Sequence, residues 1–266
     1  MPLYRDEAVV LRTAKLGEAD RIITMLTRGH GKIRAVAKGA RKVKSRFGGR
    51  LEPFMRVDVL IATGRSLDVI SQADSIAAYA APISADYESY VAANVIVETV
   101  DKLVASEHER VPAQYQLLIG ALHALAKRAH APAAIGDSYV MRALALAGWL
   151  PRLASCVVCG DPVGAPAYLS VASGGVMCAA DHTPDSHRVE PVVLRQFAAL
   201  ARGDWEVLDA GGAGAGSAAA GTAAAGTAGA AAVGDETVLL PDTRRLVEEW
   251  SEYYMERPIR SLRLLD

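Results

Sequence analysis

Cys156 and Cys159 are separated by two residues, and Cys178 follows after eighteen more. Thiolates at that spacing suit a tetrahedral metal, and the pattern matches three of the four ligands of a zinc ribbon, C-x2-C-x15–20-C-x2-C. A structural zinc site needs four ligands. The position expected for a fourth cysteine holds Asp181, and His182 comes next. A Cys3His zinc site made by Cys156, Cys159, Cys178 and His182 is therefore the expectation, with His187 close by and Gly174–Gly175 as the tight turn before Cys178. The alternative is a degraded knuckle that survives through packing. No Glu stands beside these ligands as a general base, which argues against catalytic zinc. The pair lies outside any βαβ pattern, which argues against a redox CxxC.

A second group of residues could bind a polyanion. Thr27 to Arg50 reads TRGHGKIRAVAKGARKVKSRFGGR and contains Arg28, Lys32, Arg34, Lys38, Arg41, Lys42, Lys44, Arg46 and Arg50, with no Asp or Glu. The overall net charge of −1 conceals this concentration. Residues 1–79 hold 15 Lys and Arg against 8 Asp and Glu, a net of +7, whereas the remainder holds 14 against 22, a net of −8. That asymmetry points to a nucleic-acid or membrane face on one part of the chain. A solvated basic face is the plain alternative. Against it stand the glycines at 29, 31, 39, 48 and 49, which let backbone approach a ligand. Phe47 lies among the cations, where an exposed ring could stack on a base. Lys32 and Arg34, alternate residues of one strand, should share a face.

The elements that position these groups follow from periodicity. Glu7–Arg12, Arg21–Thr27, Lys32–Lys38, Val57–Ala62 and Leu67–Ile70 read as five short strands joined by turns, a pattern that suggests a small antiparallel barrel of the OB type. After Tyr79 the texture becomes helical. Asp86–Ser106 separates apolar and charged faces at a period near 3.6, with Ser84 or Asp86 as its cap. Pro112 suits the first turn of a helix over Gln114–His130, and a third helix runs over Ala133–Ala147. A further helix begins at Pro241–Asp242 and buries Val247, Trp250 and Tyr254. The fold class expected is α+β: a five-stranded OB-fold barrel over 1–79, then a helical domain over 80–266 with a zinc-knuckle-like segment at 151–189. Residues 209–234, rich in Ala and Gly, read as a flexible insert.

At 266 residues and 51% hydrophobic content the chain can bury two cores. No apolar run is long enough to span a bilayer, and the N-terminus lacks a signal-peptide pattern, so a cytoplasmic location is expected. There is no G-x4-G-K-[ST] loop, no G-x-S-x-G elbow and no carboxylate cluster of a two-metal nuclease. A binding protein is expected, not an enzyme. His108, His123 and His130 read as surface or packing residues.

The segment EAVVLRTAKLGEADRIITMLTRGHGKIRAVAKGARKVKSRFGGRLEPF resembles the N-terminal pattern of the bacterial RecO family of DNA recombination and repair proteins. The helical middle, CVVCG with GGVMC, and the terminal IRSLRLL correspond as well, so the likeness spans nearly the whole chain apart from the Ala/Gly stretch. The resemblance implies an OB-fold domain, a helical domain and a zinc-binding knuckle. It also implies binding of single- and double-stranded DNA, annealing of complementary strands, and action with RecR in loading RecA on SSB-coated DNA, without ATP hydrolysis by the protein itself. Zinc-bearing members of that family tend to use a second CxxC, which Asp181 interrupts here. The SSB tail is acidic and ends in apolar residues, so Arg142, Arg152, Arg260 and Arg263 are candidate contacts. An RNA-binding or translation-associated OB protein with a zinc ribbon is the alternative, to be told apart by dependence on the 2′-OH. A zinc-dependent nucleic-acid enzyme would be a third class, but the sequence supplies no residues for it.

Overall fold

The structure is a computed structural model that describes residues 2–210 and 239–265. Five strands come first: β1 (Leu3–Leu16), β2 (Asp20–Thr27), β3 (Gly31–Ala37), β4 (Met55–Ala62) and β5 (Asp68–Ala78). They close on themselves in the order β1-β2-β3-β5-β4, antiparallel except where β3 meets β5 in parallel at Ala35–Asp68 and Val36–Val69. This five-stranded, OB-like ring is the expected architecture. In β4 burial alternates along the strand, with Met55, Val57, Val59 and Ile61 turned inward, the period of two that a pleated strand dictates. Strands β1 and β5 extend well beyond their apolar runs. The ends of β1, Leu3 and Leu16, are exposed and are held in the ladder by pairing with Ala62 and Asp20.

The run Ala8–Leu11 is buried at every residue because two cores share it. Ala8 and Val10 face the ring interior with Ile23, Met25, Ile33 and Ile61. Val9 and Leu11, with Leu26 of β2, face outward into a second core built by the helices.

Those helices are α1 (Ala80–Ser84), α2 (Tyr87–Leu103), α3 (Pro112–Lys127) and α4 (Pro132–Leu146). Asp86 caps α2 by accepting a hydrogen bond from the Ser89 N–H at 2.9 Å, as its type and position suggest. Replacing Asp86 with Ala should cost about 1 kcal/mol, read as a lower urea midpoint at unchanged slope. An unchanged midpoint would show that water serves the freed N–H groups equally well. Pro112 and Pro132 each occupy the first turn of their helices, where the missing N–H carries no penalty.

A small three-stranded sheet follows, in the order β7-β6-β8, from β6 (Ala167–Ser170), β7 (Gly175–Met177) and β8 (His187–Val189). It is packed by α5 (Pro191–Arg202), α6 (Trp205–Ala210) and α7 (Pro241–Met255) in a third core that includes Leu169, Val176, Phe197 and Trp250. The stretch read as a flexible insert lies outside the described residues apart from Asp209 and Ala210, which end α6. The final turn, Arg260–Leu264, returns to α2. There the Glu98 carboxylate accepts from the Arg260 N–H at 3.0 Å, the Ser261 N–H at 2.9 Å, the Ser261 hydroxyl at 2.5 Å and Lys102 Nζ at 2.6 Å. Among the described residues no helix is long and apolar enough to cross a membrane.

Candidate nucleic-acid interface and metal-ligand cluster

The nine cations of the basic stretch part company in the fold. Lys32 is nearly buried, its Nζ donating to the Asp101 carbonyl at 2.7 Å and lying 3.3 Å from the Asp101 carboxylate. Arg34 pairs with Glu107. Arg28 stays exposed, opposite Glu7 at 3.9 Å. Lys32 and Arg34 do share a face, but that face meets the end of α2 and the irregular segment after it. The His108 N–H donates to the Lys32 carbonyl at 2.9 Å, and Lys32 bridges Glu107 strand-to-strand. Charge that looks uncompensated along the sequence is thus compensated at these residues by acids about 70 positions away.

The other six form a different group. Lys38, Arg41, Lys42, Lys44, Arg46 and Arg50 are all exposed on the connection between β3 and β4. None of them has an Asp or Glu ion-pair partner among the described residues. Three are steered by backbone carbonyls instead: Arg41 to Gly17, Arg46 to Ile70, and Arg50 to Arg46 and Ala73. The connection itself is pinned. The Gly39 N–H donates to Asp20 at 2.7 Å, the Arg41 N–H to the Ala19 carbonyl at 2.9 Å, and two successive turns close at Lys42 and Ser45. Gly39 adopts φ +70°, a conformation that favours glycine.

Phe47 corrects the sequence-based expectation. Its ring is 1% exposed and sits in the core of the ring of strands beside Leu51. The Arg46 guanidinium lies over it, 4.8 Å from the centroid. Burying one large ring adds about 1.5–3 kcal/mol of anchorage to the hydrogen bonds that pin the loop. Phe47 is therefore unable to stack on a base.

The cysteines converge as the spacing implies, with a different fourth member. Ligand atoms of Cys156, Cys159, Cys178 and Asp181 lie within 4.8 Å of one another. Cys178 Sγ is 3.1 Å from Asp181 Oδ2, and Cys159 and Cys178 sulfurs are 4.0 Å apart. His182 is directed elsewhere: its ring stacks on Tyr168 at 4.1 Å and its Nδ1 lies 2.9 Å from the Ala179 carbonyl. The reason is local. A turn in which the Asp181 N–H donates to the Cys178 carbonyl brings residue i+3, not i+4, back over the sulfur.

Gly175 makes the approach possible. A Cβ there would stand 2.2 Å from the Arg152 carbonyl, because Arg152 bridges Gly175 and carries the chain on to Cys156. Burial disfavours the Cys156 thiolate, but N–H groups of Cys159, Cys178 and Val158 outweigh it and bring that thiol down to about 7. At Cys159 an Asp161 N–H works in the lowering direction, yet hydrogen bonding to Asp181, burial and the two other cysteines win and push it up to about 12. Three thiols and a carboxylate this close cannot all ionise without a cation between them, and a dication is what this donor set fits.

An open groove between α3, α4 and α5 is lined by Ala113, Gln116, Leu117, Arg142, Leu146 and Ala201. It sets one guanidinium among small apolar side chains. Of the other arginines singled out, Arg152 donates to Ser155 and Arg263 pairs with Glu252 at 3.1 Å. Only the type of Arg142 was visible in the sequence. Its apolar surroundings come from three helices, one of which, α5, the sequence reading left unassigned although Pro191 and Gly203 bracket it.

Residues 1–79 match the family model described as recombination protein O N terminal, and residues 84–221 match the one described as recombination protein O C terminal. The chain is 67% identical over 266 residues to the DNA repair protein RecO of Bifidobacterium longum, covering 100% of both. It is 61% identical over 268 residues to that of Bifidobacterium adolescentis, again covering 100% of both. With the DNA repair protein RecO of Thermobifida fusca it shares 40% identity over 266 residues, covering 100% of this chain and 99% of that one.

Proposed function

Because the chain belongs to the RecO family of DNA repair proteins, we propose that it binds single- and double-stranded DNA through the connection between β3 and β4, anneals complementary strands, and works with RecR in loading RecA on SSB-coated DNA. The carrying observation is the set of six exposed, unpaired cations from Lys38 to Arg50 on a pinned loop. Two phosphate backbones repel each other. A surface that replaces their condensed counterions holds both, and counterion release drives the binding. Phosphate contacts carry no base information, so binding is largely independent of sequence and leaves the bases free to pair. Lys32 and Arg34 are spent on Asp101 and Glu107 and drop out of the binding set; Arg28 stands at its margin.

In this reading residues 1–79 are the DNA-binding unit and 80–266 the helical unit. The protein acts in the cytoplasm as a mediator with no reaction of its own. The acidic, apolar SSB tail is received by the groove at Arg142, where a cation and apolar walls stand together. Zinc would be the structural ion, and Cys156, Cys159, Cys178 and Asp181 would hold it. When bound it supplies cross-linking of the knuckle, while Gly175 and the Cys178–Asp181 turn orient the donors.

The test is a salt series. Reversing Arg41, Lys42 and Lys44 to Glu should lower affinity for single-stranded DNA and reduce the slope of log K against log salt by about 2, three contacts at about 0.7 each. Annealing of complementary oligonucleotides, naked or SSB-coated, should slow in parallel. An unchanged slope in this triple variant rejects the loop as the binding surface.

A further inference from the structure

With Phe47 buried, the basic stretch has no Phe, Tyr or Trp ring to offer a base, and its His30 is engaged with Tyr4 and Asp6. Two other rings stand exposed next to the stretch. Tyr87 is 71% exposed and Tyr90 45% exposed, both in the first turns of α2. Residues three apart on a helix lie on one face, so the two rings form a single patch. Tyr90 meets Phe54 edge-on, with centroids 5.9 Å apart. Phe54 is the residue just before β4, four positions beyond Arg50, and four residues of chain span at most about 14 Å. The end of the cationic loop therefore lies at most about 14 Å of chain from the residue that touches the patch. Asp86 keeps its negative charge while it caps Ser89, so the patch is suited to bases and leaves phosphates to the cationic loop. Glu88 is turned about 100° from Tyr87 around the helix.

We infer that Tyr87 and Tyr90 are the base-stacking platform of this protein, receiving unpaired bases of a single strand whose phosphates are held by the loop from Lys38 to Arg50. The inference rests on the DNA-binding reading above and deepens it. Stacking is tolerant of sequence because every base has a π-face. It requires bases that are not already stacked in a duplex, so the platform acts on single strands alone. The two surfaces then divide the work: the loop sets affinity for any DNA, and the tyrosines set the preference for unpaired strands.

The experiment compares the intact protein with Tyr87→Ala/Tyr90→Ala and Tyr87→Phe/Tyr90→Phe, on a single-stranded oligothymidylate and on a duplex, over a salt series. The Ala pair should lose about tenfold or more in single-strand affinity for each ring, with the salt slope and the duplex affinity unchanged. The Phe pair, which keeps both rings, should bind as the parent does. Tyr87→Ala alone, at the more exposed site, should show its share of the loss without disturbing the contact with Phe54. Parent-like single-strand binding by the Ala pair overturns the platform. So does an equal loss on duplex, or an equal loss in the Phe pair. Absence of DNA binding by the parent protein would instead remove the DNA-binding reading itself.

Discussion

A strong chelator is expected to unfold the segment 151–189 while leaving the ring of strands intact. Structural zinc in small sites contributes on the order of 10 kcal/mol of folding free energy. Of the four donors Cys156 alone is buried, and β7 and β8 are three residues each. Leu169, Val176 and Val189 of the same segment lean on the third core and form no core of the knuckle's own. Metal analysis of the purified protein should find about one zinc per chain, the content of a single four-ligand site. Asp181→Cys should slow loss of metal to chelator, because it completes a four-thiolate set. Asp181→Ala should speed that loss, and His182→Ala should leave it unchanged. If His182→Ala sheds metal and Asp181→Ala does not, the ligand set is the one first expected from the sequence. Metal-free protein with an unaltered melting profile would leave the knuckle held by packing alone.

The second large effect concerns Gly31. Its φ is +67°, and a Cβ there would stand 1.8 Å from the Glu109 carbonyl oxygen. Gly31→Ala therefore has to lift the segment after α2 away from β3, with loss of the contacts that hold Lys32 and Arg34. The expected cost is on the order of 4 kcal/mol, in the range that marks a specific structural clash. Gly17→Ala is the control. Gly17 has φ +56° but nothing within 4 Å, so it isolates the backbone term of about 1–2 kcal/mol. Urea midpoints of the two variants separate clash from strain. Equal midpoints would mean that the seam between β3 and residues 104–111 yields at little cost.

The sequence made the strands, the capped helix at Asp86 and the convergence of the cysteines legible, because each is written in local periods and spacings. Alternation marks β4, and a two-residue gap places Cys156 beside Cys159. The fate of the cations was not legible in the same way. Nothing near Lys32 or Arg34 announces that Asp101 and Glu107 will neutralise them, since those acids arrive through tertiary packing. Phe47 reads as exposed for the same reason: its neighbours in sequence are charged, while its neighbours in space are Leu51 and the inner strand residues. At Asp181 the error was one of stereochemistry. Imidazole is the more usual partner of thiolates, but a turn of three residues selects by position before it selects by donor type.

The Glu98 carboxylate has a temporal consequence. Every strand pairing of the ring lies within residues 3–78, so the ring can close as soon as that stretch has left the ribosome. Glu98 meets Arg260 and Ser261 only 162 and 163 residues further on. At about 5–20 residues per second that delay is roughly 10–30 s. During it Glu98 has, of the residues that donate to it, Lys102 alone within reach, and the turn Arg260–Leu264 acts as the latch of the helical unit. The cations from Lys38 to Arg50 are exposed on the ring throughout, so the nascent chain displays them while its helical unit is still open.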